Sequence, residues 1–322
     1  MYKFKKTMKL IIQIPCYNEE GTLASVLTEL PKKIDGVDII ETMIIDDGSS
    51  DQTIKIANDH KVDYIVKHVG NKWLGNAFKS GIEKALWEWA DIVVNTDGDN
   101  QYPWKYIPAL VAPIISWESD FVMGNRQTKN IKHFSPLKKF LQWLGSMLVR
   151  FFSGTKVPDS VSWFRAYSRE ALLRLNVTSD FSYAVDTLVQ AGSKRIKISY
   201  IPMTTNKPTR PSRLFKNMWQ HMYKTFSILL RVYGMYNPMR MFFTFASWFL
   251  ALGMIWVLRF FYFYLTVDGD TGKVQSLMLS SAFLIIATIF FALWIIWDLI
   301  AKNRRLIEDN LYFTKKVYFN KK

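Results

Sequence analysis

Asp97-Gly98-Asp99 carries two carboxylates one residue apart, directly after the all-β run IVVNT. At a strand end, carboxylates so spaced can share a hard divalent cation with diphosphate oxygens, because Mg²⁺ keeps much of its shell for phosphates and waters. A solvated acidic turn can have the same composition. The preceding β run and the following Asn100-Gln101 raise this triplet above chance. A second acidic cluster, Asp46-Asp47-Gly48-Ser49-Ser50-Asp51, follows IIETMII. An acid after such a strand commonly contacts a ribose or base, while Ser or Asp there also caps helices. Both uses are expected, with Asp47 facing a nucleotide and Ser50 or Asp51 capping. A third cluster, Pro15-Cys16-Tyr17-Asn18-Glu19-Glu20, offers backbone N–H groups, a ring and carboxylates, but alone it reads only as a turn. No Ser–His or Cys–His pair stands out, and Cys16 reads as a structural thiol.

The surrounding elements place these clusters together. Lys9–Pro15, Ile39–Ile45, Tyr64–Lys67 and Ile92–Thr96 read as strands. Helical patterns follow Thr22 and cover Asp51–His60 and Leu74–Ala90. Strands alternating with helices imply an α/β domain with a mainly parallel sheet and right-handed crossovers. All three clusters then lie at strand carboxyl ends, where such sheets bind ligands.

The remainder of the chain points to a membrane. The 322 residues carry 42 Lys+Arg against 27 Asp+Glu, a net charge of +15, which suits nucleic acid, an anionic membrane or a phosphorylated substrate. The single cysteine excludes an intrachain disulfide and fits a reducing compartment. The short apolar run after the basic N-terminus stops at Pro15, so no signal peptide is read. Leu137–Phe152 sets Leu137, Phe140, Leu141, Leu144, Leu148, Phe151 and Phe152 on one helical face, suited to a membrane interface or to core packing. Residues 207–240 hold seven basic residues and no acidic one, interleaved with aromatics. Lying directly before a hydrophobic stretch, this segment favours anionic headgroups over nucleic acid. Met241–Leu265 has Arg259 as its only charge, and the 22 residues of Ser276–Trp297 have none; both exceed the roughly 18 that mark a spanning helix. Basic flanks on both outer sides place both termini in the cytoplasm, and the catalytic part with them, in a multi-pass cell-membrane protein. The expected divisions are 1–206 for the α/β domain (with 135–153 as interfacial helix), 207–240 juxtamembrane, 241–300 a hairpin and 301–322 a basic tail.

Taken together, PCYNEE, IIDDGSSDQT and NTDGDNQ resemble the nucleotide-sugar motifs of the family-two inverting glycosyltransferases with a GT-A fold. More closely, the chain is similar to the dolichyl- and undecaprenyl-phosphate sugar transferases, whose later pattern is echoed by Gly124-Asn125-Arg126, by the stretch from Asp159 to Glu170, and by Pro211-Ser212-Arg213-Leu214-Phe215. The resemblance implies that Pro15, Tyr17, Glu19, Ile45 and Asp47 bind the nucleotide. It implies that Asp97 and Asp99 bind Mg²⁺ or Mn²⁺ and the diphosphate, with Gly98 and Gln101 beside them and Gln101 as a further metal ligand. Arg126 and Arg165 would face the acceptor phosphate or leaving diphosphate, and Arg210 and Arg213 would clamp phosphates. Asp159 would orient the acceptor or act as a base, or else pair with Arg165. Trp163 stands where the family usually has Gly, DGD replaces a DAD-type triplet, and no Gln-x-x-Arg-Trp stretch of processive synthases occurs. The implied reaction moves a sugar from a nucleotide sugar to a polyprenyl phosphate. A hydroxyl acceptor, an inactive membrane subunit and a nucleic-acid binder are the competing readings. The hairpin could also join copies into a homo-oligomer, although nothing in the sequence demands it.

Overall fold

A computed structural model describes residues 7–128, 136–180, 183–206, 218–236, 238–266 and 274–320. Arg210 and Arg213, and the loop between the apolar segments, fall outside them. In chain order the elements are β1 (Lys9–Cys16), α1 (Leu23–Thr28), β2 (Ile39–Asp46), α2 (Thr53–Asp59), β3 (Tyr64–Lys67), α3 (Leu74–Trp87), β4 (Ile92–Asn95), α4 (Ile107–Ile115) and β5 (Phe121–Asn125). They continue with α5 (Pro136–Ser153), β6 (Arg165–Ser168), α6 (Arg169–Arg174), α7 (Ala184–Ser193), β7 (Ile198–Pro202), α8 (Met218–Tyr236), α9 (Pro238–Thr266) and α10 (Val274–Tyr318).

The strands form one seven-stranded sheet in the order β3-β2-β1-β4-β6-β5-β7. β1 runs parallel to β2 and β4, and β2 parallel to β3, while β6 is antiparallel to both its neighbours. The near-continuous apolar run of β1 follows from burial on both faces. Leu10, Ile12, Ile14, Val94, Leu110 and Phe164 belong to the core it enters. Each such fully buried aliphatic side chain contributes about 1.5–3 kcal/mol. The connections after β1 and β4 leave in opposite directions along the sheet, so a switch-point crevice opens between their carboxyl ends. This is the mainly parallel α/β architecture expected, and β6 is its one strand antiparallel to its neighbours among the described residues.

The described residues form two compact units, one of those up to 230 together with those from 311 on, the other of those within 231–310. In the first unit, α5 packs by one face and leaves another exposed. Ser146, Val149 and Ser153 are buried, whereas Phe140, Trp143, Met147 and Phe151 are exposed at helical spacing. An apolar stripe therefore faces outward while a small-residue stripe packs inward. Within the basic tail expected at 301–322, residues 301–318 are the last turns of α10, and residues from 311 onward group with the first unit. There Tyr312 donates to Glu170 at 3.0 Å, Lys315 to Asn176 at 2.7 Å, and Tyr318 meets Trp87 edge-on at 4.7 Å.

In the second unit, α9 and the apolar part of α10 are helices long and apolar enough to cross a membrane. Phe249 stacks on Phe290 at 5.6 Å and Phe242 on Trp297 at 5.9 Å. Arg259 donates to Ser276 at 3.4 Å and lies over the Trp256 ring, so its charge is shared with polar and aromatic partners. Beyond the apolar stretch, Glu308 accepts from Tyr236 at 2.6 Å and from Arg304 at 2.9 Å.

Candidate active site

Three strand ends form a shelf. The register pairs Cys16 with Asp46 and Asp46 with Lys67. Tyr17, Asp47 and His68, each the next residue, therefore stand in a row. Their backbone amides extend the ladder, Asp47 N–H to the Cys16 carbonyl and His68 N–H to that of Asp46, both at 2.9 Å. The loops after β1 and β2 are stitched together. Asn18 N–H donates to Ser49 at 2.9 Å, Ser50 N–H to the Asn18 side chain at 2.8 Å, and Glu19 N–H to Thr53 at 2.8 Å. Asp51 takes the Thr53 N–H at 3.0 Å from one residue ahead of the α2 N-cap, which is Gln52 and makes no side-chain capping bond. Gly48 has φ +83°, and a Cβ there would lie 2.7 Å from the Gly70 backbone. The loop after β3 thus lies against the end of β2, where only glycine fits.

Asp47 is buried, and its Oδ1 accepts from His68 Nδ1 at 2.7 Å and from Lys72 N–H at 2.9 Å. His68 Nε2 meets Ser80 Oγ at 3.0 Å. A neutral imidazole with its proton on Nδ1 satisfies both contacts. Sequence reasoning did not find His68. The only available signal was a histidine immediately after a short strand. Pro15 is half-buried and Ile45 fully buried behind this shelf.

The Asp97-Gly98-Asp99 turn packs onto the end of β1. A Cβ on Gly98 would touch Cys16 Sγ at 3.2 Å and Glu19 Cγ at 3.3 Å, and Thr22 donates to the Gly98 carbonyl at 2.8 Å. Glu19 is consequently buried beside the triplet. Gln101 braces Asp99, donating its backbone N–H to Oδ1 at 3.1 Å and its side-chain amide to Oδ2 at 2.7 Å. Gln101 thus holds Asp99 in place. Among the described residues no group of three or more His, Cys, Asp and Glu side chains forms a metal cage. Asp97 and Asp99 still fit Mg²⁺ or Mn²⁺, because such an ion needs only one or two carboxylates when a diphosphate fills other positions. Beneath the turn, Gln13 donates to Asn95 at 2.7 Å and Asn95 to Tyr183 at 2.6 Å, a buried polar brace on β4. Burial, with the nearby Glu19 and Asp46 charges, pushes the Cys16 thiol well above its ordinary pKa, which suits an inert structural thiol.

On the other side of β4, Arg126 and Asp159 form a bidentate pair, Nε to Oδ2 at 2.7 Å and Nη2 to Oδ1 at 2.9 Å. The Arg126 and Val161 backbone N–H groups also reach this carboxylate, at 3.2 and 3.3 Å. Burial alone would raise the Asp159 carboxyl, but the Arg126 charge and these hydrogen bonds outweigh it and hold it below the usual carboxylate range. Burial likewise works against the Arg126 charge, yet Asp159 and, more weakly, Asp97 keep the guanidinium firmly charged.

Arg165 corrects the sequence reading. It is fully buried and donates to the carbonyls of Ser162, Ala184 and Ser160 and to Thr187 Oγ1, at 2.7–3.1 Å. Its guanidinium is an internal strut between β6 and α7, and it neither pairs with Asp159 nor faces a phosphate. β6 lies between two strands with its first three residues all buried, so the Arg165 side chain has no outward face to take. Asn206 closes the site from the other end, donating its backbone N–H to Gln101 at 3.0 Å and its side chain to Asn100 at 2.9 Å.

Trp73 is a further residue absent from the sequence reading. Its backbone lies at φ 71°, ψ 158°, a region essentially restricted to glycine. Holding a bulky residue there costs on the order of 1–3 kcal/mol, and yet its side chain is 48% exposed.

Comparison with known proteins agrees with this arrangement. The model of the family "Glycosyl transferase family 2" matches residues 11–175. The chain belongs to that family and is a glycosyltransferase with a GT-A fold. It is 32% identical over 215 residues, covering 60% of this chain and 83% of the relative, to the UDP-N-acetylglucosamine–dolichyl-phosphate N-acetylglucosaminyltransferase of Methanococcus voltae. It is 24% identical over 208 residues, 61% of this chain and 83% of the relative, to the undecaprenyl-phosphate mannosyltransferase of Micrococcus luteus. Among solved structures it is similar in fold to the glucosyl-3-phosphoglycerate synthase of Mycobacterium tuberculosis in complex with Mn²⁺, UDP and phosphoglyceric acid. The TM-score is 0.55 at 22% identity, over 70% of this chain and 79% of that one.

Proposed function

We propose that this enzyme transfers a sugar from a nucleotide-sugar donor to a polyprenyl phosphate, inverting the anomeric configuration. The observation that carries the reading is the state of Asp159. A carboxylate held in two hydrogen bonds by Arg126, and kept below its usual pKa, is a poor base. A hydroxyl acceptor needs a base. A phosphate monoester, with a second pKa near ~6, is already ionised at neutral pH and does not. The names of the relatives point to the same acceptor class.

In this reading Tyr17, Asp47 and their neighbours hold the nucleoside, and Asp97 and Asp99 hold Mg²⁺ or Mn²⁺ with the donor diphosphate. A bound divalent ion would neutralise charge on the leaving diphosphate. Arg126 brings the acceptor phosphate in against that negative charge, and Asp159 fixes its guanidinium. Arg210 and Arg213, expected from the sequence as phosphate clamps, are the further basic contacts in this reading. The exposed stripe of α5 rests on the lipid surface, and both termini and the catalytic unit face the cytoplasm.

The test incubates the purified full chain with a panel of nucleotide sugars, Mg²⁺ or Mn²⁺ and undecaprenyl phosphate, and looks for lipid-linked sugar. Product from a hydroxyl lipid, with none from any polyprenyl phosphate, would overturn the acceptor assignment.

A further inference from the structure

The groups of the proposed reaction sit on three loops: the Asp97-Gly98-Asp99 turn beyond β4, Arg126 beyond β5, and the stretch from Asp159 to Phe164 that leads into β6. The end of that stretch is bonded to the other two. Asn95 Nδ2, two residues before Asp97, donates to the Trp163 carbonyl at 3.3 Å. The Gly124 N–H, two residues before Arg126, donates to the Phe164 carbonyl at 2.9 Å. The Trp163 N–H donates to the Tyr102 hydroxyl at 3.2 Å. The first two ties lie beside paired strands, since Asn95 and Met123 both face Arg165 in the register. The third is made by a side chain on the triplet's own loop.

Tyr102 directly follows Gln101, which holds Asp99 through its backbone and side-chain amides. Thr22 ties this loop to the residues after β1, and Asn206 ties it to those after β7. The Tyr102 hydroxyl ties it to the loop of Asp159, and Asp159 in turn fixes Arg126. Tyr102 is 5% exposed, and its ring stacks on Phe164 with centroids 5.4 Å and planes 11° apart. In a close-packed interior it cannot swing out of the contact. Burial pushes the phenol well above its ordinary pKa, so it stays neutral, and the charges of Arg126, Asp97 and Asp159 all act on it.

Attack requires the reacting atoms to lie about 3–3.5 Å apart, and an error of about 1 Å costs roughly 10²-fold. In the transfer reading the two anions are held by different elements, the diphosphate by the triplet and the acceptor phosphate by Arg126. Their spacing is then set by whatever ties those elements together. A tie of this kind acts on the approach of one substrate to the other and leaves the binding of each alone.

We propose that Tyr102 is a positioning residue: its hydroxyl, held by the Trp163 amide, fixes the spacing between the Asp97/Asp99 turn and Arg126, and so the approach of the acceptor phosphate to the donor sugar. This rests on the transfer reading above. The test compares Tyr102→Phe with the wild-type full chain in detergent, and takes Leu172→Val, a buried change on α6, as a control for lost stability. It reads the binding of UDP and of GDP with Mn²⁺ by calorimetry, the melting temperature, and kcat and KM for undecaprenyl phosphate with the nucleotide sugar that gives product. Phenylalanine keeps the ring and its stack on Phe164. Tyr102→Phe therefore keeps nucleotide affinity and lipid KM within about threefold and loses roughly tenfold or more in kcat. Leu172→Val, with an equal or greater loss of Tm, keeps kcat within about threefold. Wild-type kcat in Tyr102→Phe overturns the inference alone. So does nucleotide affinity or lipid KM worsened by about tenfold, which makes the hydroxyl a direct ligand of that substrate. A Leu172→Val protein that loses as much kcat, or a Tyr102→Phe protein that melts well below it, makes the contact structural and also overturns the inference. If the wild type binds neither nucleotide and forms no lipid-linked sugar, the transfer reading falls and the inference with it.

Discussion

Replacing Asp159 separates positioning from proton abstraction. In Asp159→Ala the Arg126 guanidinium, 13% exposed, loses a partner that is 4% exposed, together with four hydrogen bonds from Nε, Nη2 and the Arg126 and Val161 amides. Leaving one member of a buried pair uncompensated costs about 3–5 kcal/mol, and for a unit of this size that lowers Tm by roughly 6–20 °C. Asp159→Asn keeps the shape but not the charge, and should cost about 1.5–3 kcal/mol. With the ionised phosphate acceptor proposed above, turnover in Asp159→Asn should fall by roughly 10- to 100-fold without vanishing. The pH profile sharpens the distinction. The folded pKa of Asp159 is depressed, so its contribution to stability is complete above the ordinary carboxylate value of about 3.9 and is lost only as pH falls through the lower folded value. It therefore supplies no limb between pH 5 and 8. A phosphate acceptor should give an acidic limb near ~6 that persists in Asp159→Asn. Thermal melting and single-turnover assays on lipid phosphate would show this. An Asp159→Asn protein with wild-type Tm and no turnover above background would make Asp159 a base and refute the positioning role.

Asp99→Asn should lower turnover by at least roughly 100-fold and raise the Mn²⁺ concentration for half-activity; a metal titration showing neither change would remove Asp99 from the diphosphate site. Cys16, buried and with a raised pKa, should resist iodoacetamide at pH 8 in the folded protein, which mass spectrometry can verify. Gly48→Ala combines φ +83° with a 2.7 Å approach to Gly70 and should destabilise by roughly 2 kcal/mol or more, read as a loss of Tm together with weaker nucleotide binding.

The strands that present the nucleotide end were legible because each is a short apolar run stopped by a turn cluster. Tyr64–Lys67 was located to the residue, and β1, β2 and β4 within one residue at their carboxyl ends. β5, β6 and β7 were not read as strands, because short strands after the triplet carry no turn pattern that fixes their direction. The sequence brought Asp97, Asp99, Asp47 and Tyr17 to one edge of the sheet by topology alone. It could not pair Arg126 with Asp159, which is 33 residues away, nor see that Arg165 faces inward. Both facts depend on how β6 pairs with β4 and β5, and charge spacing does not encode that. His68 and Trp73 were missed for another reason. Their significance lies in a hydrogen bond and a backbone angle, and neither has a residue-level signature.

The last residues of α10 belong to the same unit as β1, held through Glu170, Asn176 and Trp87. Glu170 and Asn176 lie about 140 residues before the side chains that meet them, Tyr312 and Lys315. A deletion that removed residues 311–320 would therefore strip Trp87 of its edge-on ring and take two hydrogen-bond partners from the segment that follows β6.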